Sequence, residues 1–369
     1  MSSSLLFLPD ISGFTKFVQN TEVSHSQHII AELLELLIAS NTIDMDLVEI
    51  EGDALFFFKA APLPTKEEIE AQIERMMTVF YSHLRLLQKN RICPCQACIT
   101  APELELKIIA HCGLVQFMKI QGTEKPFGPE VIQAHRLMKN SVQSDRYVLL
   151  SEKLTTEIGL FEDREESSRT YVPGKDNYDD VDVGYFHHHL EPDSLDLIPF
   201  PLSKLIELTE NPSFSVQHEF PVSATAMMEH ITDYRQRPHW TDGLDDIVYN
   251  EEEVTRLDTE HTCVLNAKTL KFTAVTKEVA GDQFVYGELT TSIAPMDRVY
   301  IFYHFHPIDD ASCTVNLEVY IQVDLFLKKP IVWMASPMFK KSMKQGLERL
   351  HAYVTPLHAI EQEAPDSVQ

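Results

Sequence analysis

The sequence predicts an α+β protein built as two domains, and three observations carry that prediction. At 369 residues the chain is long enough for two cores of ordinary size. Its first half alternates short apolar runs of strand type with stretches of helical apolar spacing. Its second half reads as one strand, short helices, a series of strands and a long terminal helix.

Taken in order, Leu5 to Leu8 form the first apolar run, which ends at Pro9-Asp10. Ile30, Leu33, Leu34 and Leu37 then fall at helical spacing, and Asn41 to Asp44 breaks that helix. Leu47 to Phe58, with Gly52-Asp53 at its middle, reads as a hairpin. Thr65 and Glu68 have the form of a capping box for a helix carrying Ile69, Ile73, Met76, Phe80, Leu84 and Leu87 on one face. Leu104 to Cys112 alternates as a strand, and another helix begins near Glu130. Residues 157–196 hold twelve acids against three bases and read as a last hairpin followed by a solvated connector.

The second half opens with Phe214, Val216, His218 and Phe220 alternating as a strand, ended by Pro221 before a short helix at Ala224 to Ile231. Strand-like runs follow near Ile247, Thr262, Phe272, Gln283, Arg298 and Cys313. The terminal helix, from about Pro330 to Tyr353, is expected to present Met334, Met338, Met343, Leu347 and Leu350 on one face. The boundaries implied are a first domain over 1–195, a linker over 196–211, a second domain over 212–356 and a tail over 357–369.

An apolar content of 44% and a charged content of 24% are those of a soluble globular protein. The formal charge of −25 argues against a nucleic-acid backbone or an anionic membrane as the main partner. It leaves a nucleotide open, because metal ions meet that charge locally. The Leu5 to Leu8 run is too short for a signal peptide or a membrane span, so the expectation is a cytoplasmic protein that is not integral to a membrane. Its six cysteines are then expected to be reduced.

Chemistry concentrates near the N-terminus, in Phe7 to Thr15 and in Val48 to Phe58. Each is an apolar strand that ends or turns at one aspartate with a glycine close by, Gly13 after Asp10 and Gly52 before Asp53. Such a pair brings two carboxylates to neighbouring strand ends, where hard oxygen ligands suit Mg²⁺ or Mn²⁺ carrying a nucleoside triphosphate. The plainer uses are Asp10 as a helix cap and Asp53 as a turn residue.

Together with Phe127-Gly128-Pro129-Glu130-Val131-Ile132-Gln133-Ala134-His135-Arg136, these stretches resemble the three main motifs of class III nucleotidyl (adenylyl and guanylyl) cyclases, in order and spacing, over about residues 1–190. The resemblance implies a ferredoxin-like, cyclase-homology α+β sandwich. It makes Asp10, Asp53 and the carbonyl of Ile11 the ligands of Mg²⁺ or Mn²⁺. Backbone amides of Ser12, Gly13, Phe14 and Thr15 would hold the phosphates.

Glu49 and Lys125 fall at the family's base-reading positions. A carboxylate with an ammonium complements the donors and acceptor of guanine, which favours GTP over ATP as the purine triphosphate. The alternative is an ion pair that closes an unused pocket. Arg136 matches the family's catalytic arginine, but the asparagine expected four residues earlier is Ile132, which cannot hydrogen-bond a ribose. A later catalytic lysine has no clear match; Lys175 is the nearest substitute. These departures imply weak or absent catalysis, since lost electrostatic stabilisation costs orders of magnitude in rate. The family's site is shared between two subunits, so a homodimer is implied.

Cys93, Cys95 and Cys98 place three thiols within six residues. They are candidates for structural Zn²⁺ with His83, His111 or Cys112 as fourth ligand, with redox chemistry or simple burial as alternatives. His187, His188 and His189 alternate faces on a strand and are not expected to share one metal.

The element order over 212–355 resembles the helix-grip fold of the START-like (SRPBCC) superfamily. That implies an apolar cavity beneath the terminal helix for a lipid or other apolar small molecule. Candidate lining residues are Trp240, Phe272, Tyr286, Tyr300, Phe302, Tyr303, Trp333, Met334 and Met338, which equally suit a solid core. No nucleophile, base and acid occur together there, so binding rather than turnover is expected. The function implied is a two-domain signalling protein that senses purine nucleotide and an apolar ligand. The alternatives are a working guanylyl or adenylyl cyclase, a phosphorus–oxygen lyase, and a dimerising lipid-binding scaffold.

Overall fold

The structure is a computed structural model in which residues 2–19, 21, 23–93, 95–120, 122–161, 170–200, 205–251, 254–277 and 284–363 are described. The strand start near Gln283 and parts of the acidic stretch, linker and tail (162–169, 201–204 and 364–369) lie outside the described residues. The chain divides into two compact units, one of Met1–Gln88 with Thr100–Phe200 and one of Lys89–Ile99 with Pro201–Gln369. Among the described residues, no helix is long and apolar enough to cross a membrane.

In the first unit the run Ser-Leu-Leu-Phe-Leu-Pro-Asp-Ile-Ser forms β1 (Ser4–Ser12), buried along its whole length. A strand with both faces buried and neighbours on both edges must be apolar throughout, and this one is but for its ends and Asp10. It is followed by α1 (Phe14–Gln19), α2 (Val23–Ala39), β2 (Asp46–Glu51), β3 (Ala54–Lys59) and α3 (Lys66–Lys89). The capping box forms as expected: the Thr65 amide donates to Glu68 Oε2 at 2.8 Å and the Glu68 amide to Thr65 Oγ1 at 3.3 Å.

After α4 (Gln96–Thr100), which but for Thr100 belongs to the second unit, the first unit continues with β4 (Glu105–Gly113), the hairpin β5 (Gln116–Ile120) and β6 (Thr123–Phe127), α5 (Pro129–Leu137), β7 (Tyr147–Ser151), α6 (Glu152–Glu157), β8 (Val172–Tyr178) and β9 (Val181–His189). The main sheet has the order β2-β3-β1-β4-β7-β9-β8. β1 runs antiparallel to both β3 and β4, while β4 and β7 are parallel. One face carries Leu6, Leu8, Phe56, Phe58, Ile109 and Leu149, which pack with Ala134 and Leu137 of α5. This is the α+β architecture read from the sequence, with β1 an interior strand between β3 and β4.

The second unit contains β10 (Phe214–Phe220), α7 (Ala224–Thr232), α8 (Arg237–Trp240), β11 (Leu244–Val248), β12 (Glu260–Leu265), β13 (Lys268–Val275), β14 (Phe284–Thr290), β15 (Arg298–Asp309), β16 (Ser312–Gln322) and α9 (Lys329–Glu363). Its antiparallel sheet, of order β10-β16-β15-β14-β13-β12-β11, is the helix-grip arrangement with α9 packed against one face. Leu347, Leu350 and Val354 of α9 are buried with Val216, Ile301, Tyr303 and Val315 of the sheet.

Two registers differ from the sequence reading. Trp333, Met334 and Met338 do not line the cavity beneath α9; they lie on its outer side, 69–78% exposed, with Trp333 at the edge of a surface cleft that also includes Arg298, Asp324 and Lys329. The inward face is Val332, Ala335, Phe339 and Met343. A one-residue offset on a helix turns a side chain by about 100°, so residues that are neighbours in sequence part company. Tyr300 and Phe302 pack with Val275, Val285 and Tyr320 in a separate cluster, on the opposite sheet face from Ile301 and Tyr303. Successive strand residues alternate faces, and the odd-numbered ones here face the α9 side.

Candidate functional site

Two strand connections build the acidic site of the first unit. Asp10 lies near the end of β1, opposite Ala54 of β3 on one side and Lys107 of β4 on the other. Asp53 follows Gly52, whose φ of +67° makes the tight β2–β3 turn. The Ile11 amide donates to the Asp53 carbonyl at 3.1 Å, tying that turn to β1. The Asp53 carboxyl is pushed up from 3.8 to about 6, by burial first and then by the Asp10 charge and a hydrogen bond with Asp10. The pairing of β1 with β3 and the bond from Ile11 to Asp53 bring the two aspartates to neighbouring strand ends.

A third group, not singled out from the sequence, joins them. Lys107 Nζ lies 2.9 Å from Asp10 Oδ2, and both side chains are largely buried. The signal was present: a lysine within Leu106-Lys107-Ile108-Ile109-Ala110 on a central strand must find an anionic partner. Its ammonium compensates charge where a divalent cation would do so. The donor set of two carboxylates suits a hard cation such as Mg²⁺ or Mn²⁺, with Lys107 as internal competitor.

The loop beyond Asp10 turns at Gly13, with φ +89°, into a six-residue α1. Ser12 Oγ is buried and has no hydrogen-bond partner among the described residues. Phe17 N–H already donates to the Gly13 carbonyl at 3.0 Å, so the turn is helical from its start.

Glu49 and Lys125 do face each other, with Lys125 Nζ 3.0 Å from Glu49 Oε2 and both about two-fifths exposed (41% and 42%). Glu49 sits at a register shift in β2, and Lys125 is on the β5–β6 hairpin. On α5, Arg136 pairs with Asp179 from the β8–β9 turn, and Ile132 is an exposed apolar side chain. Lys175 pairs with Asp182 within the same β8–β9 hairpin.

The three thiols gather: Cys93, Cys95 and Cys98 are buried, with sulfurs within 4.8 Å of one another. The Cys95 amide donates to Cys93 Sγ and the Cys98 amide to Cys95 Sγ, each at 3.4 Å. Hydrogen bonds with Cys93 and Cys95, then burial, push the Cys98 thiol far above its ordinary value. Two of the fourth ligands considered are engaged with carboxylates. His83 lies 3.0 Å from Glu32, and His111 bridges Ser151 and Glu130 at 2.7 Å each. Cys112 is buried within β4.

In the second unit a cavity of about 230 Å³ lies between α9 and the sheet, lined by Trp240, Phe272, Tyr303, Phe339 and Met343. Of the lining residues named from sequence, Trp240, Phe272 and Tyr303 are there. Tyr286 is in the core beside it, and Tyr300, Phe302, Trp333, Met334 and Met338 are elsewhere. At one end is a buried ion pair that sequence reading did not anticipate, Arg237 with Glu288. Tyr286 Oη donates to Glu288 Oε1 at 2.7 Å, and the Arg237 guanidinium lies 5.0 Å over the Trp240 ring. Burial works to raise the Glu288 carboxyl, but the Arg237 charge, His261 and hydrogen bonds from Arg237 and Tyr286 together outweigh it and hold the group below its ordinary value. His261, 2% exposed beside this pair, is pushed down from 6.5 to about 4 by burial and stays neutral at physiological pH.

The family described as "Protein of unknown function (DUF2652)" matches residues 30–147, a span that holds Glu49, Asp53, the three thiols, Lys107, Lys125 and Arg136 but not Asp10. "Uncharacterized protein Rv2561/Rv2562" of Mycobacterium tuberculosis is 30% identical over 122 residues, which are 33% of this chain and 57% of that protein. The match thus spans little more than half of that relative. Among solved structures, the guanylyl cyclase Cya2 is 15% identical, with a TM-score of 0.37, over 53% of this chain and 97% of that one. The guanylate cyclase domain of RhGC from Catenaria anguillulae, in complex with GTP, is 13% identical with a TM-score of 0.36, over 51% and 96%. A START superfamily protein from Mycobacterium smegmatis is 14% identical with a TM-score of 0.30, over 38% and 98%.

Proposed function

We propose that the first unit binds a purine nucleoside triphosphate, GTP in preference to ATP, together with Mg²⁺ or Mn²⁺, and turns it over slowly or not at all. The observation that carries this reading is that β1 and the β2–β3 turn bring Asp10 and Asp53 to neighbouring strand ends, with Asp10 opposite Ala54 and the Ile11 amide donating to the Asp53 carbonyl. Asp10, Asp53 and the Ile11 carbonyl would hold the ion, and amides of Ser12 to Thr15 the phosphates. A divalent ion held there would neutralise phosphate oxygens and acidify an attacking hydroxyl. Glu49 would accept from N1 and N2 of guanine and Lys125 would donate to O6, once their mutual ion pair opens.

Three features support slow chemistry over an active cyclase. Lys107 competes for Asp10, Arg136 is paired with Asp179, and Ile132 offers a ribose no hydrogen bond. The second unit would hold a small apolar ligand in the cavity beneath α9, so that the protein signals by coupling two ligands in the cytoplasm. A homodimer would complete the nucleotide site from two copies. Incubating the protein with Mn²⁺ and each labelled triphosphate tests the reading. Saturable binding with little or no cyclic product is expected; rapid cyclic GMP or cyclic AMP formation supports the active-enzyme alternative, and absence of binding overturns the proposal.

The thiol cluster supports a second, independent role as a structural Zn²⁺ site, because three buried sulfurs lie within 4.8 Å of one another and a bound Zn²⁺ would displace their protons. Metal analysis should find about one zinc per chain, lost in Cys95→Ser. Protein that is metal-free as purified and takes up no zinc contradicts it.

A further inference from the structure

We infer that the N-terminal half of α9 and the turn before it dock onto an anionic lipid bilayer surface. The inward stripe of α9, through Phe339, Met343, Leu347 and Leu350, accounts for one apolar face of this helix. A surface helix needs only one. Yet Leu325, Phe326 and Leu327 of the preceding turn, with Trp333, Met334 and Met338 spread over an arc of about 140° on the outer side of α9, put large apolar side chains in solvent, 61–84% exposed. Scattered exposed apolar residues need no explanation, but a contiguous set of large ones marks a surface that something covers.

Charge identifies what covers it. In a chain of net charge −25, residues 325–347 contain five lysines, Lys328, Lys329, Lys340, Lys341 and Lys344, and no acid. Lys328 is held by Asp297 and Lys344 lies 3.9 Å from Glu348, while Lys329, Lys340 and Lys341 are exposed. Lys329 reaches over the Phe326 ring, with 5.5 Å between its Nζ and the centroid. Aromatic and long apolar side chains flanked by lysines match the interfacial zone of a membrane, rings at headgroup depth and ammonium groups on lipid phosphates. The overall negative charge does not oppose this, because fields beyond about 8 Å are screened at physiological salt. The segment lies on the surface rather than spanning the bilayer, since no described helix is apolar enough to cross. This inference does not depend on the nucleotide reading.

The chain carries two tryptophans, Trp240 buried and Trp333 exposed, so the second reports on this face. Adding vesicles of phosphatidylcholine with phosphatidylglycerol should shift the full-length protein's emission to the blue, and Trp333→Phe should abolish that shift. Each lysine near an anionic surface contributes about fivefold in partition, so Lys340→Gln with Lys341→Gln weakens it about 25-fold. Raising salt should reverse binding. No shift, or equal partition onto pure phosphatidylcholine, overturns the proposal. A concentration-dependent blue shift without vesicles, accompanied by a dimeric mass, also overturns it and assigns the face to a second copy of the chain.

Discussion

Lys107→Met asks whether the acid pair of β1 and the β2–β3 turn is a cation site. Lys107 Nζ is 2.9 Å from Asp10 Oδ2, and the two side chains are 21% and 10% exposed. Removing one partner of a pair this buried costs about 3 kcal/mol. Here it also leaves Asp10 and Asp53 facing each other without a cation. Lys107 works to lower the Asp53 carboxyl, so in its absence that group titrates above its present value of about 6. The variant is therefore least stable at alkaline pH and recovers as the pH falls and Asp53 takes up a proton.

Mn²⁺ reverses the loss. With no ammonium to displace, binding tightens about tenfold or more for each 1.4 kcal/mol of competition removed. Ion at about one hundred times its Kd returns about 2.7 kcal/mol. Thermal unfolding at pH 8 reads this directly, since about 3 kcal/mol corresponds to roughly 6–12 °C for a domain of this size. The expected pattern is a lowered Tm for Lys107→Met that Mn²⁺ restores, with a smaller Mn²⁺ effect on the natural protein. The reasoning is refuted if Mn²⁺ raises the variant's Tm no more than the natural protein's, or if adding Asp53→Asn leaves the Mn²⁺ response intact.

Other perturbations probe the remaining parts. Glu49→Lys with Lys125→Asp should move triphosphate preference from guanine to adenine in competition binding; an unchanged preference removes these residues from base reading. The folded His261 is depressed to about 4 against 6.5 unfolded. Its contribution to stability is therefore complete above pH 6.5 and is lost as the pH falls through about 4, about 3 kcal/mol across that window. His261→Phe, stacked on Phe272 as the native ring is, should flatten the acid limb of the stability profile, and an unchanged limb refutes the assignment. Gly346 lines the cavity with open space where a Cβ would lie, so Gly346→Leu should keep the fold, add about 1 kcal/mol of helix propensity and block uptake of an apolar fluorescent probe. Undiminished uptake places the ligand elsewhere.

What the sequence disclosed and what it withheld have physical causes. Strand alternation and helical spacing gave the elements, and the Thr65–Glu68 capping box gave an element start, because these signals are local. Asp10 and Asp53 could be matched because each lies in an apolar run with a glycine close by, Gly13 three residues after Asp10 and Gly52 just before Asp53. Lys107 escaped notice because its meaning is the register of β4 on β1, which opposes it to Asp10 and is not a local property. The Arg237–Glu288 pair escaped for the same reason, its partners lying on α8 and β14. The α9 lining was misassigned because the helix has apolar residues on two faces. A periodicity argument sees both stripes and cannot tell which is buried. That ambiguity is itself the trace of the proposed membrane face.

Equilibrium dialysis of radiolabelled GTP against the purified protein, with and without Mn²⁺, bears most directly on the central claim that Asp10 and Asp53 form a metal–nucleotide site. Mn²⁺-dependent, saturable retention of GTP that disappears in both Asp10→Asn and Asp53→Asn is the predicted result. Retention that is independent of Mn²⁺ and survives both substitutions would contradict it.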